Sequence, residues 1–258
     1  MLEVALAAAA TLVALSATLA TFDRWLIRRR SHEIAWASAF TLFTVASAAL
    51  ALGAGAGWNG TLFRTFYLFG AILNVPILAL GTVLLLGSER TRRTATWVVV
   101  GFCLFSAGVM VATPFTSAIP ADRLARGSEI LPVLPRILAA AASSLATLVV
   151  VGGAVRSALR LRKSSGPVEP AANQTGGRRA LGNVLIAVGV LLTGASGLAN
   201  SVLGDMGAFA LFLAVGVSVI LAGYLVITSG GGEAAVSLPD GSNRSDGRTP
   251  GRNSGLAG

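Results

Sequence analysis

Apolar residues fall in seven long runs along the chain, at roughly 2–22, 34–56, 62–86, 97–113, 133–155, 181–203 and 209–227. About 20 apolar residues rising 1.5 Å each match a hydrocarbon core ~30 Å thick, so each run is read as one crossing. The pattern predicts an all-α membrane protein with seven transmembrane helices in residues 1–228. The segments between runs alternate in charge. Arg24, Arg28, Arg29 and Arg30 follow the first run, Arg90, Arg92 and Arg93 the third, and Arg156, Arg160, Arg162, Lys163, Arg178 and Arg179 the fifth. The other side carries only Arg64, Arg123, Arg126 and Arg136. Basic loops stay cytoplasmic, which puts the N-terminus outside the cell membrane and the C-terminus in the cytoplasm. Residues 164–177 read as a flexible cytoplasmic link, and 229–258, poor in anything to bury, as a disordered cytoplasmic tail. The outer segment 114–132, with Pro114, Pro120 and Pro132, either folds over the outer mouth or simply connects two helices.

Composition agrees with the pattern. Hydrophobic residues make up 54% of the chain and charged residues 12%, against about 25% charged in soluble domains. The net charge of +9 comes from arginines clustered in short loops, which fits membrane orientation and argues against nucleic acid. Cys103 and His32 are each the single residue of their type, so neither a disulfide framework nor a Cys/His metal site is expected. The first run lacks a basic lead, having Glu3 before it and arginines after it, and reads as a retained helix rather than a signal peptide.

Few residues carry chemistry. No H-E-x-x-H, G-x-S-x-G or P-loop occurs, no paired acids lie within the runs, and the seventh run has no Lys for a retinal Schiff base. Neither a catalytic residue nor a cofactor is expected, and an enzyme ranks behind the non-enzymatic readings. Gly55-Ala56-Gly57-Trp58-Asn59-Gly60 spells a dinucleotide fingerprint but ends a membrane helix instead of joining a strand to one; Trp58 there reads as an interfacial anchor. Gly53, Gly55, Gly57, Gly70, Gly189, Gly194, Gly197 and the stretch 139–144 read as seams for close helix packing. His32-Glu33 opens the second helix, where His32 belongs among headgroups and Glu33 complements the helix N-terminus.

The third run holds the main site candidate. In Asn74-Val75-Pro76, Pro76 frees the carbonyl of Ile72, and Asn74 offers donors and an acceptor at mid-depth. Broken helices at that depth bind substrates in transporters; the same residues also suit a packed kink. Tyr67 and Asn200 are candidates to line the pathway with Asn74 and Pro76. Arg64 and Asp205, with Arg136 and Glu129 nearby, are candidates for an outer gate.

Residues 6–29 align without gaps on 138–161, and Ala79-Leu80-Gly81 falls against Leu221-Ala222-Gly223. Repeats 1–87 and 133–228 around a linker helix at 97–113 would be parallel, giving a 3+1+3 plan. By topology this resembles the SWEET and PQ-loop transporters, although no Pro-Gln dipeptide occurs and Asn74-Val75-Pro76 has no twin near Gly216-Val217-Ser218. The phrase YLFGAILNVPILALGTVLLL resembles uncharacterised seven-helix integral membrane proteins of actinobacteria, a likeness that implies no activity. The leading expectation is a small permease-like protein moving a small neutral solute across the bilayer. The alternative is a non-catalytic scaffold or accessory subunit, binding partner proteins or a second copy of itself, or anionic lipid, through its basic cytoplasmic loops.

Overall fold

A bilayer offers backbone amides no partner, so each apolar run must satisfy its own hydrogen bonds, and each has become a helix. The computed structural model describes residues 2–163, 170–203 and 206–228; side chains 157, 158, 160–163, 170–176, 179, 180, 196–203, 206 and 228 are not described. The helices are α1 (Leu2–Arg28), α2 (Ser31–Ala56), α3 (Gly60–Leu86), α4 (Glu89–Ala112), α5 (Val133–Lys163), α6 (Pro170–Leu203) and α7 (Met206–Thr228). Among the described residues, six spans are long and apolar enough to cross a membrane, and α6 contributes a shorter apolar stretch, Leu181–Ala195. The chain is a polytopic membrane protein, all-helical among the described residues.

Local signals explain the boundaries. Asn59 caps α3 by accepting from the Leu62 amide at 3.0 Å, and Gly57, at φ +94°, makes the turn between α2 and α3. Ser88 caps α4 by accepting from Thr91 N. The link between α5 and α6 is shorter than expected. Pro170, suited to a first helical turn, opens α6, so 170–177 are helical; 164–169, like the tail from 229, lie outside the described residues.

Neighbours in the bundle follow one another round a ring: α1 on α2, α2 on α3, α3 on α5, α5 on α6, α6 on α7 and α7 back on α1. Helix α4 stands outside, held chiefly by α3, with Trp97, Val98, Leu104, Phe105 and Val111 exposed. Small residues let the backbones approach. On α1, Ala7, Ala10, Ala14, Ala17 and Thr21 are all fully buried, and their alternating spacing of three and four keeps one face on α2 and α7. Gly182 sits on the backbone of Gly223, and Gly189 on that of Gly216, seven residues apart in each helix, forming the α6–α7 seam. Trp36 fills the space left by Gly81. Trp58 fills that left by Gly53 and meets Phe66, its ring centroid 5.8 Å away. Trp58 is only 4% exposed, so it is a core residue and not the interfacial anchor expected, because Gly53 gives its ring somewhere to go.

The segment 113–132 is more than a connector. It returns across one end of the bundle, with Trp58 N donating to Ala121 O at 2.9 Å and Thr116 N to Ile130 O at 2.9 Å. Leu124, Ala125, Ile130 and Leu131 are buried in the main core. This end is called the loop end below, and the opposite one the arginine end.

Candidate functional site

The middle of α3 departs from α-helical geometry. Tyr67–Leu73 is a π-helical stretch, immediately ahead of Asn74 and one turn before Pro76. Pro76 has no amide to donate, and its ring crowds the carbonyl four residues back, at Ile72. Widening the preceding turns gives that crowding room, and such π stretches recur at functional sites. Ser143 on α5 places its hydroxyl 3.5 Å from the Ala71 carbonyl, donating across the helix interface.

Beside the π stretch lies a cavity of about 700 Å³. Its walls come from α2, α3, α5, α6, α7 and the loop-end segment. Tyr67, Gly70, Ala71, Asn74 and Val75 form the α3 side; Ala139, Ala140, Ser143, Ser144 and Thr147 form the α5 side. Phe43, Phe66, Phe209, Val190 and Leu213 supply apolar surface, and Arg126, Gly127, Ser128 and Arg136 stand at the loop end. Asn74 lies roughly 20 Å from either end of α3 by the 1.5 Å rise, so the cavity reaches mid-depth. Its side chain is 8% exposed and has no hydrogen-bond partner among the described residues. An amide so placed costs about 1–3 kcal/mol unless water or a ligand meets it.

The structure gathers some of the candidate residues and separates others. Tyr67, Asn74 and Arg136 line the one cavity. Pro76 is buried in the same helix but does not face the cavity. The side chain of Asn200, and all of Asp205, lie outside the described residues. Arg64 is elsewhere: it borders a shallow groove with Leu52, Asn59 and Phe115. Its guanidinium donates to the carbonyls of Met110, Val111 (3.0 Å) and Thr113 (2.8 Å), and it stands 4.3 Å over the Phe115 ring. A forked cation there satisfies the orphan carbonyls at the end of α4 and complements its dipole. Glu129 pairs with Arg123 at 3.1 Å and not with Arg64 or Arg136.

Arg64→Gln should therefore lower thermal stability by about 1.5–3 kcal/mol, the range for hydrogen bonds to a charged group. Arg64→Lys should recover only part, because an ammonium cannot fork across three carbonyls. Unfolding of the purified protein in mild detergent reads both; equal stability of wild type and Arg64→Gln would refute the capping role.

Several wall residues were not singled out from the sequence. Residues 139–144 read as a packing seam, yet Ala139, Ala140, Ser143, Ser144 and Thr147 share one helical face, and that face is the cavity wall. The signal was present in the serine pair followed one turn later by a threonine. Gly194 likewise faces open space instead of a neighbour. Arg126 carried no local signal; only the fold of 113–132 brings it to the mouth.

Toward the arginine end the bundle closes. Trp36 and Phe40 pack on Tyr224 at centroid distances of 5.6 and 6.4 Å, His32 meets Trp36 at 5.5 Å, and the Arg24 guanidinium stands 6.0 Å over the Tyr224 ring. Glu33, in the first turn of α2 as expected, is 2% exposed, near Arg24, Arg28 and Arg30. The cavity is thus open on one side of a buried aromatic layer. No protein-family model matches this chain, and neither a curated protein nor a solved structure matches it.

Proposed function

We propose that this protein is a small permease-like membrane protein whose cavity admits a small solute from the extracytoplasmic side. The observation that carries this reading is the amide of Asn74, without a hydrogen-bond partner among the described residues and held at mid-depth on the wall of a cavity of about 700 Å³. That volume lies within the range of about 300–1,000 Å³ usual for small-molecule sites. The arginine-rich loops at the other end support placing the loop end outside. Trp36, Phe40 and Tyr224 then form the inner closure, and Asn74, Tyr67 and Ser143 offer hydrogen bonds to the solute.

The helix order supports parallel repeats. In a 3+1+3 plan the contacts α1–α2, α2–α3 and α3–α5 correspond to α5–α6, α6–α7 and α7–α1, and all six occur, with α4 outside. Gly81 and Gly223, aligned in the two repeats, each pack against the second helix of their own repeat. The alternative, a scaffold without a pathway, expects a dry core, and the cavity favours the pathway.

Uptake of radiolabelled small polar solutes into liposomes tests the reading. A β-carbon at Gly194 meets nothing within 4 Å, so Gly194→Trp can be accommodated while its ring fills the cavity. Wild-type protein should raise uptake of at least one solute above that of empty liposomes, and the variant should lose at least nine-tenths of the increase. Undiminished uptake through a folded Gly194→Trp variant would contradict the pathway.

A further inference from the structure

We infer that the cavity selects an amphiphilic anion, a carboxylate or phosphate head joined to an apolar chain, instead of the neutral solute expected from the sequence. The inference rests on the cavity's being a ligand pocket. Its lining includes two guanidinium groups, Arg126 and Arg136, and no Asp or Glu among the described residues. Neither arginine forms an ion pair among those residues, and the nearby acid, Glu129, is engaged by Arg123. Two cations that pair with no acid among the described residues, at the mouth of a pocket with low-dielectric walls, concentrate positive potential there, attracting anions and rejecting cations. Guanidinium forks fit the planar or tetrahedral oxygens of carboxylate and phosphate.

The backbone that carries the arginines is anchored. Arg136 lies in the first turn of α5. Arg126 follows the buried Leu124 and Ala125, and the next residue, Gly127, lies so close to Tyr67 that an added β-carbon would come within 3.0 Å of the phenol oxygen. That contact seats the arginine-bearing segment over Tyr67, whose hydroxyl becomes a third donor for the head group. Phe43, Phe66, Phe209 and Leu213 give the same space apolar surface, and it holds no further charge among the described residues. The charged groups therefore stand at the mouth, and the rest of the wall is uncharged, apolar side chains alternating with neutral polar groups such as Asn74, Ser143 and Thr147.

Full-length protein purified in a neutral maltoside detergent provides the test, with equilibrium binding of radiolabelled octanoate as readout. Saturable binding is expected, displaced at least tenfold more weakly by octanol and by octyltrimethylammonium than by unlabelled octanoate. The double variant R126Q/R136Q, checked for folding by size exclusion, should weaken octanoate binding at least tenfold, and R126K/R136K should retain the preference for octanoate over octanol. Competition by phosphatidylglycerol would identify the anion's source as a lipid head group. Displacement by octanoate but not by this lipid would identify a soluble amphiphile. Equal binding of octanol, undiminished binding by R126Q/R136Q, or no saturable binding at all would overturn the inference. Failures of the two readings separate cleanly. Octanoate bound through the arginines but never carried into liposomes leaves the anion site and removes the pathway. Uptake of neutral solutes blocked by Gly194→Trp but indifferent to R126Q/R136Q leaves the pathway and removes the anion.

Discussion

Gly81→Ala is expected to destabilise the bundle by about 3 kcal/mol, the upper part of the usual cost of overpacking a core. A β-carbon there would lie 2.2 Å from both Cδ1 and Nε1 of Trp36. The indole cannot swing away, because Trp36 is 2% exposed and packed between His32 and Tyr224. For a chain of this size the loss corresponds to a fall of roughly 6–12 °C in Tm. Gly101→Ala and Gly108→Ala on the outer helix α4 meet nothing within 4 Å and provide the control. They should be neutral or slightly stabilising, since alanine is favoured over glycine inside a helix by about 1 kcal/mol. A thermal-unfolding series in detergent compares the three. A Tm for Gly81→Ala within a degree of the controls would show that Trp36 does not occupy the glycine's notch.

Adding a methyl group at the α6–α7 seam should be comparably costly, and non-additive across it. At Gly189 a β-carbon would come within 2.7 Å of the Gly216 carbonyl oxygen; at Gly216 it would come within 2.9 Å of the Thr193 amide and 3.0 Å of the Gly189 carbonyl. These are backbone atoms, so relief requires the helices to part. Either alanine alone should cost about 3 kcal/mol. Once one has pushed the helices apart, the second meets less resistance, so Gly189→Ala/Gly216→Ala should cost at least about 1 kcal/mol less than the sum. Thermal unfolding of the four proteins completes the cycle. Strict additivity would mean that the two glycines do not share one contact.

Much of the architecture was legible because a bilayer enforces it. Backbone satisfaction turns each long apolar run into a helix, so Leu2–Arg28, Ser31–Ala56 and Gly60–Leu86 follow from hydropathy alone. Side-chain destinations were less legible, because in lipid small residues serve both to admit a neighbour and to leave a space. Gly189 meets Gly216, while Gly194 on the same helix meets nothing and faces the cavity. Their sequence surroundings are alike; only the angular position of the partner helix distinguishes them. Arg64 shows the same limit. A charge near an interface fits a gate, a lipid contact or a helix cap, and the choice of cap depends on where α4 ends, at carbonyls 46 to 49 residues away. The disturbance around Asn74-Val75-Pro76 was visible from the proline, but its form, a π stretch beginning at Tyr67, depends on what packs against it.

Water access to Asn74 bears most directly on the proposed pathway. In a Cys103→Ser background, Asn74→Cys can be treated with small membrane-impermeant thiol reagents from each side of sealed vesicles. Labelling is expected from the side bearing the loop-end segment 113–132 and not from the arginine end, where Trp36, Phe40 and Tyr224 intervene. The Gly194→Trp substitution should slow that labelling at least tenfold. A folded Asn74→Cys protein that reacts from neither side would make the middle of α3 a dry, packed kink and remove the pathway.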